Sequence, residues 1–168
     1  MENRKGKVLK VRVFPDPVLR QPVEEVRDFG EELSDLLADM WATMYAKDGV
    51  GLAAPQVGIS KSLAVIDHHG DRYVVVNPQI LSQDGEEEGE EGCLSFPGIF
   101  VNVKRPSRIR LRFQDETGAV KEMELQGFIA RVFLHEIDHL RGRLLIDHVS
   151  PIRRQMIKTR LAKRSEDR

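Results

Sequence analysis

The stretch His135-Glu136-Ile137-Asp138-His139 constrains this chain most, because it sets ionisable side chains into an otherwise apolar run. Val132, Phe133 and Leu134 precede it and Leu140 follows, so a helix carrying it is expected to be buried. Residues four apart share a helix face with Cβ atoms about 5–6 Å apart, so both imidazoles can reach one ion. Glu136 sits about 100° around the helix from His135, beside such an ion rather than on it. A base there can take a proton from water on the ion without competing for coordination. The plainer reading is two histidines on an ordinary helix. Against it, a buried Glu between two His needs partners or a metal.

The pattern around that helix is α+β: antiparallel strands packed around a central helix that carries the H-E-x-x-H residues, with a C-terminal helix. The central helix is expected over 126–141, closing at Gly142. Residues 7–13 alternate enough for a short strand, and Pro15, Pro17 and Pro22 keep the chain after them irregular. Asp28 with Glu31 reads as a capping box opening a first helix, and Leu33, Leu36, Leu37, Met40 and Met44 form its buried face. That helix should stop at Asp48-Gly49, where glycine supplies the terminus. Further strands are expected at 62–67, 72–76, 99–103, 109–113 and 119–125. His68-His69-Gly70-Asp71 and Asp115-Glu116-Thr117-Gly118 are the turns between them. Ser150-Pro151 reads as the N-cap and first residue of the terminal helix, and no repeat or linker divides residues 1–168.

Composition narrows the class. Hydrophobic residues at 40% and charged residues at 32% are ordinary for a soluble globular chain. No apolar run approaches the roughly 18–20 residues of a membrane span. Met1-Glu2-Asn3-Arg4-Lys5 resembles neither a secretory signal nor an Arg- and Ser-rich import leader, and the single Cys93 cannot form an internal disulfide. A cytoplasmic protein without a membrane partner is expected. The net charge of −1 offers no general attraction for nucleic acid.

Two histidines do not complete a catalytic site, which takes three protein ligands and keeps one position open. The protease extension of the motif puts a third His six residues after the second, but Leu145 stands there. His148 reads as a solvated loop side chain, and His68 and His69 as turn residues. Cys93, in Glu91-Gly92-Cys93-Leu94-Ser95-Phe96-Pro97-Gly98, is the better candidate. A lone Cys is usually a small buried hydrophobe, but beside a site lacking a ligand it can coordinate as a thiolate.

Gly49-Val50-Gly51-Leu52-Ala53-Ala54-Pro55-Gln56-Val57-Gly58 begins like a dinucleotide fingerprint. That reading fails, because a helix rather than a strand precedes it and Pro55 forbids a clean helix start. A tight loop of small residues would suffice to explain it. Gln56 adds a neutral amide able to donate to a developing oxyanion.

Together and in this order, the three segments resemble the signature motifs of peptide deformylases: G-x-G-L-A-A-x-Q at 49–56, E-G-C-L-S at 91–95 and H-E-x-x-H at 135–139. The resemblance spans most of the chain and implies one deformylase-like catalytic domain over 1–168. It implies that Cys93, His135 and His139 bind one divalent ion and that Glu136 is the acid/base residue. Gln56 and the backbone N–H of Leu94 would stabilise the oxyanion. Gly51 would hold the substrate backbone, while Val50, Phe128 and Val132 would line the methionine pocket. The implied reaction is removal of the formyl group from N-formylmethionyl nascent peptides, with hydroxide on the metal attacking the formyl carbon. Ferrous iron is the family's usual ion, and zinc, nickel or cobalt would also fit one thiolate and two imidazoles.

The chain departs from the family pattern at Leu134, where Gln is common, and at Arg141. The acidic run 86–90 reads as a solvated loop, and Gly98-Ile99-Phe100 offers no Arg for the peptide backbone. From 150 to 168, Arg153, Arg154, Lys158, Arg160, Lys163, Arg164 and Arg168 face only Glu166 and Asp167. This basic helix or tail is either a solvated face or, as the resemblance implies, a contact for ribosomal RNA phosphates. Two other readings compete: a metal-free Cys93–His139 hydrolase, and a catalytically inactive ribosome-associated module with a structural metal.

Overall fold

In a computed structural model, which describes residues 5–166, the alternating runs pair into two antiparallel sheets. The strands are β1 (Gly51–Ala53), β2 (Leu63–His68), β3 (Asp71–Asp84), β4 (Glu87–Cys93), β5 (Phe96–Arg105), β6 (Arg108–Gln114) and β7 (Val120–Gln126). Five of them form a sheet in the order β1-β2-β3-β6-β7, and β4-β5 make a separate ribbon. The α-helices are α1 (Glu31–Ala46), α2 (Phe128–Leu140) and α3 (Pro151–Glu166). The mixed class, the antiparallel pairing and the C-terminal helix are as the sequence pattern suggests. Residues 1–4, read as lacking a leader, and Asp167 and Arg168 of the basic tail lie outside the described residues.

Amphipathic faces decide where each helix goes. Ala130, Phe133, Leu134 and Ile137 of α2 pack on Ile66, Val75, Ile109, Leu111, Phe113 and Leu125 of the large sheet. Burying a side chain such as Phe133 in full contributes about 1.5–3 kcal/mol. Elsewhere on α2, Arg131 reaches the ribbon, donating to the carbonyls of Val103 at 2.8 Å and Glu87 at 2.7 Å. The Leu33, Leu37, Met40 and Met44 face of α1 covers Leu52, Val57, Leu63 and Val65. Ile157 and Leu161 of α3 bury against Phe96, Ile99 and Val101 of β5, and Ser150 Oγ caps the helix by accepting from Arg153 N at 3.2 Å. No helix among the described residues is long and apolar enough to cross a membrane.

Several local expectations fail for identifiable reasons. Residues 7–13 form no strand: the N–H groups of Lys7 and Leu9 bond instead to Asp39 Oδ1 and Thr43 Oγ1 of α1, and Arg12 N to the Gln56 carbonyl. Asp28 does not cap α1; its carboxylate accepts from Gly30 N, and Gly30 is the N-cap. The stop of α1 is Asp48 at φ 55, not Gly49. Strand β3 runs eight residues past Val76 because a bulge around Asn77 (φ 51) absorbs Pro78, which cannot donate to the ladder. The acidic run is not a loop: Glu87, Glu88 and Glu90 belong to β4, paired with Arg105, Lys104 and Asn102 of β5. Helix α2 begins at Phe128, later than expected, because Gly127 takes φ 74.

Candidate metal centre

A tight hairpin and one helix face build the site. Cys93 ends β4 and pairs with Phe96, so only Leu94 and Ser95 make the turn into β5. This holds the thiol against α2, where His135 and His139 lie one turn apart with ring centroids 5.1 Å from each other. The potential ligand atoms of Cys93, His135 and His139 all fall within 4.8 Å of one another, and Cys93 Sγ is 3.3 Å from His139 Nε2. Burial disfavours the Cys93 thiolate, but the imidazoles of His139 and His135 outweigh it and hold the group at about 5. For His135, burial works against the imidazolium, yet Cys93 and Glu91 raise its pKa well above the usual value.

Glu136 stands beside this cluster. It is 4% exposed, and its Oε1 has no hydrogen-bond partner. Burial raises its pKa, while the two imidazoles pull the other way. Gly51 of β1 leaves the carboxylate its place, since a Cβ there would strike Glu136 and force it to shift. Gln56, in a 3-10 helix over Ala54–Val57, is fixed at both ends of its amide. Its Oε1 accepts from Ala53 N at 2.9 Å, and its Nε2 donates to Ser95 Oγ at 3.2 Å and reaches Cys93 Sγ at 3.5 Å. One thiol, two imidazoles and a buried carboxylate with one oxygen lacking a partner fit a divalent ion with water or substrate beside it.

Sequence reading missed the groups behind these. Glu91 accepts from His135 Nδ1 at 2.9 Å, which orients that ring, and is held in turn by Arg105 at 2.7 and 2.8 Å and Arg131 at 2.9 Å. Burial pushes Glu91 up, but Arg105 and His135 outweigh it and keep it at about 2. Arg105 also donates to Asp138 Oδ2 at 2.7 Å, and His148 Nε2 donates to the same oxygen at 2.8 Å. His148 is therefore no solvated loop residue. A signal for Arg105 existed: it follows Ile99, Val101 and Val103 on the inward phase of β5, where a charge demands a partner.

The cluster opens on a cleft of about 510 Å³ whose lining includes Cys93, His135 and Glu136 together with Gly51, Gln56, Leu94, Val50, Phe128 and Val132. His139 is buried behind it. Each residue singled out in the sequence thus lies at the cleft or directly behind it; of the two histidines expected in the turn, His69 is there, while His68 is the last residue of β2, paired with Asp71.

The family model for polypeptide deformylases matches residues 8–155. A peptide deformylase of Thermotoga maritima is 50% identical over 153 residues, 90% of this chain and 93% of that protein. One from Acidobacterium capsulatum is 44% identical over 155 residues, 89% and 91% of the two chains. The crystal structure of a peptide deformylase from Legionella pneumophila superposes with a TM-score of 0.91 at 42% identity, covering 95% of this chain and 96% of that one. A Synechococcus elongatus peptide deformylase solved with actinonin gives 0.87 at 38% identity, covering 98% and 94%. Such a fold, with three soft and borderline donors beside a buried carboxylate, defines a metal-dependent hydrolase. The chain belongs to the peptide deformylase family.

Proposed function

We propose that this chain removes the formyl group from N-formylmethionyl nascent peptides in the cytoplasm, using one divalent ion held by Cys93, His135 and His139. The observation that carries the reading is the buried Glu136 carboxylate, whose Oε1 has no partner, beside a three-donor cluster at the wall of an open cleft. A structural metal would leave that carboxylate without a purpose, and an inactive module is disfavoured for that reason. Ferrous iron suits one thiolate and two imidazoles, as do zinc, nickel and cobalt.

A divalent ion there supplies Lewis acidity toward water and toward the formyl oxygen. The protein does the rest. Glu136, raised by burial, accepts the proton of the attacking water and returns it to the departing amine, so formate and a free amino terminus leave. The Gln56 amide and the Leu94 N–H steady the charge that develops on the formyl oxygen. Gly51 leaves room for the Glu136 carboxylate and for a peptide backbone alongside β1, and Val50, Phe128 and Val132 receive the methionine side chain. Formate release from a short formyl-methionyl peptide by anaerobically purified, ferrous-loaded protein tests this. Release that a chelator abolishes is expected. Release that survives the chelator would favour a Cys93–His139 hydrolase, which the 3.3 Å contact would permit.

The basic helix α3 is a second part of this reading, as a contact for ribosomal RNA. Lys158, Arg160, Lys163 and Arg164 are exposed on it. Because Ile157 and Leu161 anchor the helix in the core, charge reversal rather than truncation is the clean test. Lys158→Glu with Arg160→Glu and Lys163→Glu is expected to weaken ribosome binding at low salt by about tenfold or more, with activity on free peptides unchanged. Unaltered binding would remove the RNA role and leave a solvated face.

A further inference from the structure

Two apolar side chains lining the cleft, Val50 at 51% and Phe128 at 56% exposed, are not locked by the core. Both are instead approached from outside by the end of β2, Val50 through its backbone and Phe128 through its ring. Asp67 N donates to the Val50 carbonyl at 2.9 Å. The next residue, His68, sets its ring beside that of Phe128 in a tilted contact, with centroids 6.0 Å apart and planes at 35°. His69, in the left-handed region at φ 53, meets the His68 ring edge-on with centroids 4.4 Å apart.

This end of β2 is itself pinned. Asp67 Oδ2 accepts from the Tyr45 hydroxyl at 2.6 Å, and its Oδ1 accepts from Gly70 N at 2.8 Å. Phe128 is the first residue of α2 and follows Gly127, so nothing N-terminal to it in the helix restricts its ring. A half-exposed ring in that position has several rotamers open, and a flat neighbour selects one of them.

We propose that His68 is a positioning residue for substrate selection: by its ring contact with Phe128 it holds the side wall of the cleft at the width that suits a slender, unbranched side chain. The proposal rests on the reading that Val50, Phe128 and Val132 receive the methionine side chain. His68 does not touch the reacting atoms, so it acts on binding and discrimination and not on the chemical step. Without it the Phe128 ring swings, the wall loosens, and bulkier side chains enter at less disadvantage.

Steady-state formate release from matched formyl-Met and formyl-Phe peptides tests this with His68→Ala and His68→Phe. For His68→Ala, KM for the formyl-Met peptide should rise by about three- to tenfold, and the preference for Met over Phe should fall by a similar factor. Its kcat should stay within about twofold of the parent, because an interaction made equally in ground and transition states moves KM alone. His68→Phe, which keeps a flat ring, should restore both quantities. A preference present in the parent and unchanged in His68→Ala would overturn the proposal alone, as would a loss that His68→Phe does not restore. A parent protein with no preference for Met over Phe would overturn the pocket reading, and the proposal with it.

Discussion

Glu136→Gln should lower formate release by about two to four orders of magnitude, the usual contribution of a positioned acid/base group, while one metal ion per chain stays bound. The amide keeps the shape of the carboxylate, so the space against Gly51 remains filled and α2 is not disturbed. It cannot accept the proton of the attacking water. Metal should be retained because Glu136 is not among the clustered donors Cys93, His135 and His139. The measurement is kcat/KM together with metal content on the same preparation. Activity within about tenfold of the parent would show that the proton moves through another group, contrary to the mechanism proposed. Loss of the metal along with activity would mean that Glu136 is a ligand.

The second large effect concerns a residue remote from the substrate. Arg105→Met should destabilise the fold by about 3–5 kcal/mol, since removing one partner of a buried ion pair leaves the others uncompensated. Arg105 and Glu91 side chains are each only 5% exposed, and Arg105 also serves Asp138. Burial alone would lower the pKa of Arg105, but Glu91 and Asp138 reverse that, so the guanidinium stays charged. With the cation gone, Glu91 keeps only Arg131 and His135 as partners. The His135 ring then loses a fixed orientation, and metal affinity should fall by about 10–100-fold, as is typical when the groups behind a ligand are removed. Urea unfolding of the metal-free protein isolates the first effect, and competition against a chelator isolates the second. A stability change under about 1 kcal/mol would show that the network relaxes around the loss.

How much of this was legible in the chain differs by element. Helical spacing in 128–140 and alternation in β5 and β6 are local patterns with a fixed period, and they were readable directly. Strand β4 was not, because Glu87, Glu88 and Glu90 face solvent on a ribbon with a single partner and carry no apolar alternation. The continuation of β3 past Pro78 was hidden for another reason: a bulge restores pairing only where a neighbouring strand is present to accept it. Residues 7–13 have strand-like alternation, yet the N–H groups of Lys7 and Leu9 are taken by Asp39 and Thr43, 32 and 34 residues away in sequence.

By itself the sequence determined the donors and their chemistry: a Cys, two His one helical turn apart, and a Glu whose apolar surroundings forbid an idle charge. It also determined the α+β class, since period and turn residues are properties of short segments. Only the tertiary structure decided that Cys93 meets His139 across 46 residues of chain, that Arg105 and Arg131 hold Glu91 behind His135, and that the end of β2 meets Val50 and Phe128. The physical reason is range. Side-chain type and spacing act within a turn or a strand, whereas ion pairing and ring stacking depend on which distant segments packing brings together.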